Sequence, residues 1–119
     1  MGELEIQQRI RLAISRGCTR VFRNNVGAWF DRSTNRRISY GLQVGSSDLI
    51  GWHSVVVTPE MVGRRVAVFT SIEVKTPTGR QSQKQRVWIE QVKAAGGIAG
   101  IARSPSAALE LLTGWLLQP

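Results

Sequence analysis

The spacing of apolar residues changes several times along the chain, and each change marks an element. Over residues 3–16, Ile6, Ile10, Ala13 and Ile14 recur at helical spacing, and Gly17 supplies a stop. Thr19 to Arg23 reads as a strand. Residues 24–46 carry Asn, Gly, Ser and Arg with scattered Trp29, Phe30, Ile38 and Tyr40, the composition of a long loop or loose hairpin. Asp48 to Trp52 and Ser54 to Val57 are short strand candidates, and Thr58-Pro59-Glu60-Met61 begins a turn. Gly63-Arg64-Arg65 leads into a strong strand from Val66 to Lys75, which Thr76-Pro77-Thr78-Gly79 then breaks. Ser82 to Ala95 reads as a second helix with Trp88, Val92 and Ala95 on one stripe, ended by Gly96-Gly97. Ile98 to Ala102 is a short apolar strand. Ser104 as cap and Pro105 in the first turn open a last helix running to about Leu117. The order, one helix, a run of strands, then αβα, predicts an α/β sandwich with strand Val66–Lys75 at its centre.

At 119 residues the chain has room for one domain, 1–119, with one modest core. No stretch reaches the roughly 18 uninterrupted apolar residues of a membrane span. The start, Met1-Gly2-Glu3-Leu4-Glu5, is acidic and lacks a signal peptide's basic and apolar runs, so a cytosolic location is expected. Cys18 is the one cysteine and His53 the one histidine, which excludes an internal disulfide and a zinc site; both read as ordinary residues without a partner.

Charge changes the picture. Sixteen Lys and Arg face eight Asp and Glu, giving a net charge of +8, and thirteen of the sixteen are Arg. A folded domain with this surplus attracts polyanions, of which nucleic acid is the commonest, and Arg suits bidentate phosphate contacts.

The candidate chemistry lies at the end of the strongest strand. Successive side chains alternate faces, so Ala67, Phe69, Ser71, Glu73 and Lys75 share one face. Glu73 and Lys75 follow an apolar run and precede a Pro-Gly turn, where a sheet opens into a cleft. A strand-end ion pair is the simpler account of the two alone. Asp48, in Gly45-Ser46-Ser47-Asp48-Leu49-Ile50-Gly51-Trp52, opens an apolar strand after a flexible turn; alone it reads as a cap on that turn rather than a metal ligand. Together they form an Asp…Glu-x-Lys pattern suited to metal-assisted phosphodiester hydrolysis. Hard oxygen ligands hold Mg²⁺ and leave positions for water and phosphate, and the lysine orients the water or balances charge on phosphorus.

Asp48 with Glu73-Val74-Lys75 resembles the PD-(D/E)XK nuclease signature. The wider text resembles the virus-type replication-repair nuclease (VRR-NUC) family, especially its stand-alone phage and bacterial members. The matching stretches are Glu3-Leu4-Glu5-Ile6-Gln7, Phe22-Arg23-Asn24-Asn25, Gly45 to Gly51, Ile72 to Arg80, Gln85, and Ala95-Gly96-Gly97-Ile98-Ala99. The resemblance implies a PD-(D/E)XK (restriction-endonuclease-like) αβββαβ core, a central mixed sheet flanked by helices, and cleavage of branched or structured DNA with Mg²⁺ or Mn²⁺. It implies that Asp48, Glu73 and the main-chain carbonyl of Val74 ligate metal and that Lys75 is the catalytic lysine. Ser47 stands where the PD motif has its Pro.

Two further positions follow from helix geometry and the resemblance together. At 100° per residue Glu3 falls within the stripe of Ile6, Ile10 and Ile14, while Glu5 points away. The family has a glutamate in this helix, so Glu3 is the expected further metal ligand, with fraying at the terminus the alternative. Gln85 falls on the stripe of Trp88 and Val92, and the family has a glutamine there that serves the active site. The competing account is local, a capping box in which Gln85 reaches back to Ser82. Arg23, Arg36, Arg37, Arg80 and Lys84 are the expected nucleic-acid contacts, and Trp29, within an Arg-rich segment, is the one tryptophan expected to meet DNA. The stand-alone members resemble Holliday-junction resolvases acting as homodimers, and two opposed cuts across a two-fold junction call for two sites. A monomeric flap or nick nuclease, an idle DNA-binding module of the same fold, and RNA cleavage are the alternatives.

Overall fold

The structure, a computed structural model, describes residues 2–117. It is mixed α/β with three helices, α1 (Glu3–Ile14), α2 (Gln83–Ala94) and α3 (Pro105–Gly114). Six strands accompany them: β1 (Thr19–Arg23), β2 (Gly27–Asp31), β3 (Arg36–Tyr40), β4 (Leu49–His53), β5 (Thr70–Val74) and β6 (Ile98–Ala102). The strands pair as β1–β4, β2–β3 and β5–β6, so the central sheet foreseen from sequence is drawn as three two-stranded sheets. Contacts divide the chain into two compact units, Met1–Val55 and Val56–Pro119.

In the first unit β1 and β4 run antiparallel from Thr19↔His53 to Arg23↔Leu49. The expected strand Ser54–Val57 does not form. Gly17 turns the chain just before β1, and the pairing ends at the bond from Ser54 N to the Cys18 carbonyl. Of the two readings of segment 24–46 the hairpin stands: β2 and β3 pair from Gly27↔Tyr40 to Asp31↔Arg36. Its turn is fixed by Asp31, whose Oδ1 accepts from Ser33 Oγ at 2.7 Å and Ser33 N at 2.9 Å. The Ser33 hydroxyl leads in holding the Asp31 carboxyl below its ordinary value.

Helix α1 is rotated by about a quarter turn from the expected phase. Its half-buried stripe is Gln7, Arg11 and Ser15, while Ile6, Ile10 and Ile14 are 43%, 45% and 46% exposed. The cause is local: Ser15 Oγ accepts from Val21 N at 3.1 Å, which fixes the helix end against β1 and sets its rotation.

In the second unit β5 and β6 are parallel, from Thr70↔Ile98 to Val74↔Ala102, with α2 as the crossover. The strand expected from Val66 begins at Thr70, because its partner β6 offers only five residues between Gly97 and Arg103. Helix α2 ends where Gly96 takes φ +99°, a left-handed conformation that favours glycine. The buried core lies around β6: Val92, Ala99 and Ala102, with Gly97 and Gly100. A Cβ on Gly100 would stand 2.7 Å from Leu111 Cδ2, so this glycine lets α3 approach the strand.

Candidate active site

Strand β5 carries Ser71 and Glu73 on one face, and α2 supplies a partner to each. Trp88 Nε1 donates to Ser71 Oγ at 2.8 Å, and Gln85 Nε2 donates to Glu73 Oε1 at 2.8 Å. Residues three apart on the helix thus meet residues two apart on the strand, and the alternation read from sequence is the alternation observed. Lys75 Nζ lies 3.5 Å from the same Glu73 oxygen, with side-chain exposures of 18% for the lysine and 34% for the glutamate. A half-exposed pair of this kind adds about 0–1 kcal/mol to stability, too little to explain the arrangement as a structural brace.

Gln85 makes the local cap and also contacts Glu73. Its Oε1 accepts from Ser82 N at 2.9 Å while Ser82 Oγ accepts from Gln85 N at 3.1 Å, a reciprocal cap on α2. That leaves the Nε2 end for Glu73. The cap therefore orients the amide toward the carboxylate. A cavity of about 240 Å³ opens beside these groups, lined by Ser71, Glu73, Lys84, Gln85, Trp88 and Ile89. Lys84, an expected phosphate contact, stands at its edge.

Beyond Glu73 the chain leaves the strand under control. Lys75 N donates to the Ala102 carbonyl at 3.2 Å, extending the ladder by one residue. Arg103 Nη1 donates to the carbonyls of Thr76 at 2.6 Å and Gly79 at 2.7 Å, pinning the turn that follows Lys75 and precedes Arg80. Arg103 carries no mark in the sequence: it lies beyond the strand, in no motif, and only the parallel register brings it to this turn.

Asp48 belongs to the first unit. It immediately precedes β4, is exposed, and its carbonyl accepts from Asn24 N at 2.9 Å. Arg23, across from Leu49 in the register, lines a small hollow of about 60 Å³ with Arg11 and Gln7 of α1. Arg36 and Arg37 are exposed on β3, as are Trp29 and Phe30 on β2, and Arg80 is exposed after its turn. Glu3 is exposed on the first turn of α1, on the flank of the packed stripe rather than within it, and Glu5 pairs with Arg9 at 3.1 Å. His53 and Cys18 are not without partners: His53 Nδ1 lies 2.6 Å from Thr19 Oγ1 and 4.0 Å from Cys18 Sγ, since the two strand ends face each other.

Among the described residues, no three His, Cys, Asp or Glu side chains gather as a ready-made metal cluster. Each unit offers carboxylate oxygen, the donor type of a hard divalent cation: among the described residues both contacts to Glu73 use Oε1, and the Asp48 carboxylate is exposed.

The family model described as the VRR-NUC domain matches residues 11–105. The chain belongs to the VRR-NUC family. The match spans Asp48, Glu73, Lys75 and Gln85 and begins after Glu3. Neither a curated protein nor a solved structure matches the chain. As a VRR-NUC domain the protein is a nuclease acting on DNA, with a PD-(D/E)XK-like fold. VRR-NUC and related nuclease domains typically use divalent metal ions. No helix among the described residues is long and apolar enough to cross a membrane.

Proposed function

We propose that the protein is a metal-dependent, structure-specific DNA endonuclease that resolves four-way junctions as a homodimer. The observation that supports metal-dependent cleavage is Glu73 at the end of β5, with one carboxylate oxygen held by Gln85 and Lys75 and no contact to the other among the described residues; junction choice and the dimer rest on the resemblance and the symmetry argument below. Asp48, Glu73 and the Val74 carbonyl would hold Mg²⁺ or Mn²⁺, with Glu3 the least secured member of the set because it stands exposed on a terminal turn. When bound, the ion neutralises the scissile phosphate and lowers the pKa of the attacking water.

The chain's own residues supply the rest. Lys75, held beside Glu73 by the ladder and the pinned turn, donates a hydrogen bond to the attacking water or to an oxygen of the pentacovalent phosphorus. Gln85 keeps Glu73 in one orientation, so that no ordering is needed when substrate arrives. Arg23, Arg36, Arg37, Arg80 and Lys84 contact phosphates, which gives affinity without reading sequence. A junction is nearly two-fold symmetric, and a C2 dimer places one site on each of two opposed strands.

The test is a panel of labelled four-way junction, flap, linear duplex and structured RNA, each incubated with and without Mg²⁺. Paired symmetric nicks in the junction alone support the reading. Cleavage of flaps with intact junctions would replace it with a flap nuclease.

A further inference from the structure

The loop before Asp48 has few elements of its own to hold it. It runs from Gly41 to Ser47, turns through Gly45 at φ +91°, and has one internal bond, from Ser46 N to the Gln43 carbonyl at 3.0 Å. Asn24, the residue that follows β1, supplies the rest. Its Nδ2 donates to Ser46 Oγ at 2.8 Å and to the Ser47 carbonyl at 2.9 Å. Its Oδ1 accepts from Leu42 N at 3.4 Å, and its own N donates to the Asp48 carbonyl at 2.9 Å. One half-buried residue therefore contacts both ends of the loop and the two peptide carbonyls flanking the Asp48 nitrogen and following its Cα.

We infer that Asn24 is the positioning residue for Asp48. This rests on the reading of Asp48 as a metal ligand. A carboxylate on a loop is a useful ligand only if its backbone is already fixed, because ordering it on binding would subtract from affinity. Fixing the Ser47 carbonyl sets the peptide plane before Asp48, and fixing the Asp48 carbonyl sets the plane after it. The direction of the Asp48 Cα–Cβ bond, from which the carboxylate swings, follows from those two planes. The chemistry needed is two donors and one acceptor on a short planar group, which asparagine has. Aspartate lacks the donors, serine lacks the reach, and alanine lacks both.

The experiment measures Mn²⁺ binding without DNA, from the EPR signal of the free ion, and cleavage of a labelled junction over a Mn²⁺ series. Asn24→Ala and Asn24→Asp should each weaken Mn²⁺ binding roughly tenfold, the size typical of groups that orient a ligand. The half-saturating Mn²⁺ for cleavage should rise by the same factor, while the rate at saturating Mn²⁺ returns to within about threefold of wild type, since Asp48 itself is intact. A slower maximal rate with unchanged Mn²⁺ affinity would assign Asn24 a merely structural role and overturn the inference. If circular dichroism shows Asn24→Ala unfolded, Ser46→Ala removes one of the two Nδ2 contacts and should give about a threefold shift; no shift there also overturns it. Asp48→Asn separates the two levels. If Asp48→Asn binds Mn²⁺ and cuts like wild type, the ligand reading fails and the inference with it. If Asp48→Asn is impaired and Asn24→Ala is not, only the inference fails.

Discussion

Replacing Gln85 tests whether its amide serves the helix, the carboxylate or both. Gln85→Ala removes one half of the reciprocal cap on α2, the bond from Ser82 N, a loss of about 0.5–1.5 kcal/mol, and the bond to Glu73; Ser82 Oγ still accepts from the backbone N of residue 85. A hydrogen bond to a charged group contributes about 1.5–3 kcal/mol when buried; at a glutamate one-third exposed, about 1 kcal/mol is the better figure. The sum predicts a melting temperature lower by about 5–10 °C. Gln85→Glu separates the two roles. Its carboxylate still accepts from Ser82 N, and a negative charge in the first turn of a helix is favourable by about 0.3–1 kcal/mol. Against Glu73, however, a donor at 2.8 Å becomes a like charge. Two carboxylates about 3 Å apart at an effective dielectric near 40 repel by about 3 kcal/mol, roughly a hundredfold in any equilibrium that needs Glu73 ionised and in place. Thermal melts followed by circular dichroism, with junction cleavage measured well below the melting range, read both quantities. The expected result is a Gln85→Glu variant that keeps the cap yet melts roughly 10 °C below wild type, because the repulsion acts on the fold as well as on the site, and cleaves roughly a hundredfold more slowly at a temperature where it is folded. Wild-type cleavage by Gln85→Glu would show that the contact with Glu73 is inert and leave Gln85 as a cap alone.

Further outcomes follow from the same site. EDTA should abolish cleavage, Mg²⁺ or Mn²⁺ should restore it, and Ca²⁺ should support binding without turnover; full activity in EDTA removes the metal mechanism. Asp48→Asn and Glu73→Gln should lose cleavage by roughly a thousandfold or more while still shifting junction DNA on a gel, and Lys75→Ala should be inactive with somewhat weaker binding. Near-normal cutting by Glu73→Gln would displace it from the ligand set. Glu3→Gln should reduce cleavage more than Glu5→Gln, whose partner is the exposed Arg9; equal rates would exclude Glu3. Sedimentation should give a species of twice the 13.2 kDa chain, and Arg36→Ala or Arg37→Ala should each lower the salt dependence of binding by about one ion. A monomer that leaves junctions intact would refute the dimeric resolvase.

Elements with their own punctuation were legible in the sequence. The Ser82 and Ser104 caps, the Gly96-Gly97 stop and the run Ile98–Ala102 stand in the structure within a residue of their expected places, because each depends on side chains a few positions away. The pairing of Glu73 with Lys75 and Gln85 was legible for the same reason, through the two-residue period of a strand and the stripe of a helix. What depended on partners distant in sequence was not. The extent of β5 is set by β6, and the rotation of α1 by one hydroxyl of Ser15, whose polarity gave no reason to place it inward. The hairpin at 27–40 was legible only as one of two readings because its turn, Asp31 to Arg36, closes through an aspartate and Asn35 at φ +56° rather than an Asn-Gly or Asp-Gly pair. Asn24 and Arg103 act through backbone atoms of other segments, a role that no residue type announces.

The parallel pairing of β5 with β6 also bears on the order in which the chain folds. The ribbon joins neighbours across a short turn, a closure on the microsecond scale. Strand β5 must instead wait for residues roughly 28 positions further on, and a crossover helix has to form between them. Helix α2 can nucleate early on its own cap, carrying Gln85 and Trp88 into place before Glu73 and Ser71 have a strand to stand on. Ser71 and Glu73 on β5 thus meet their α2 partners through a non-local step, slower than closure of the ribbon.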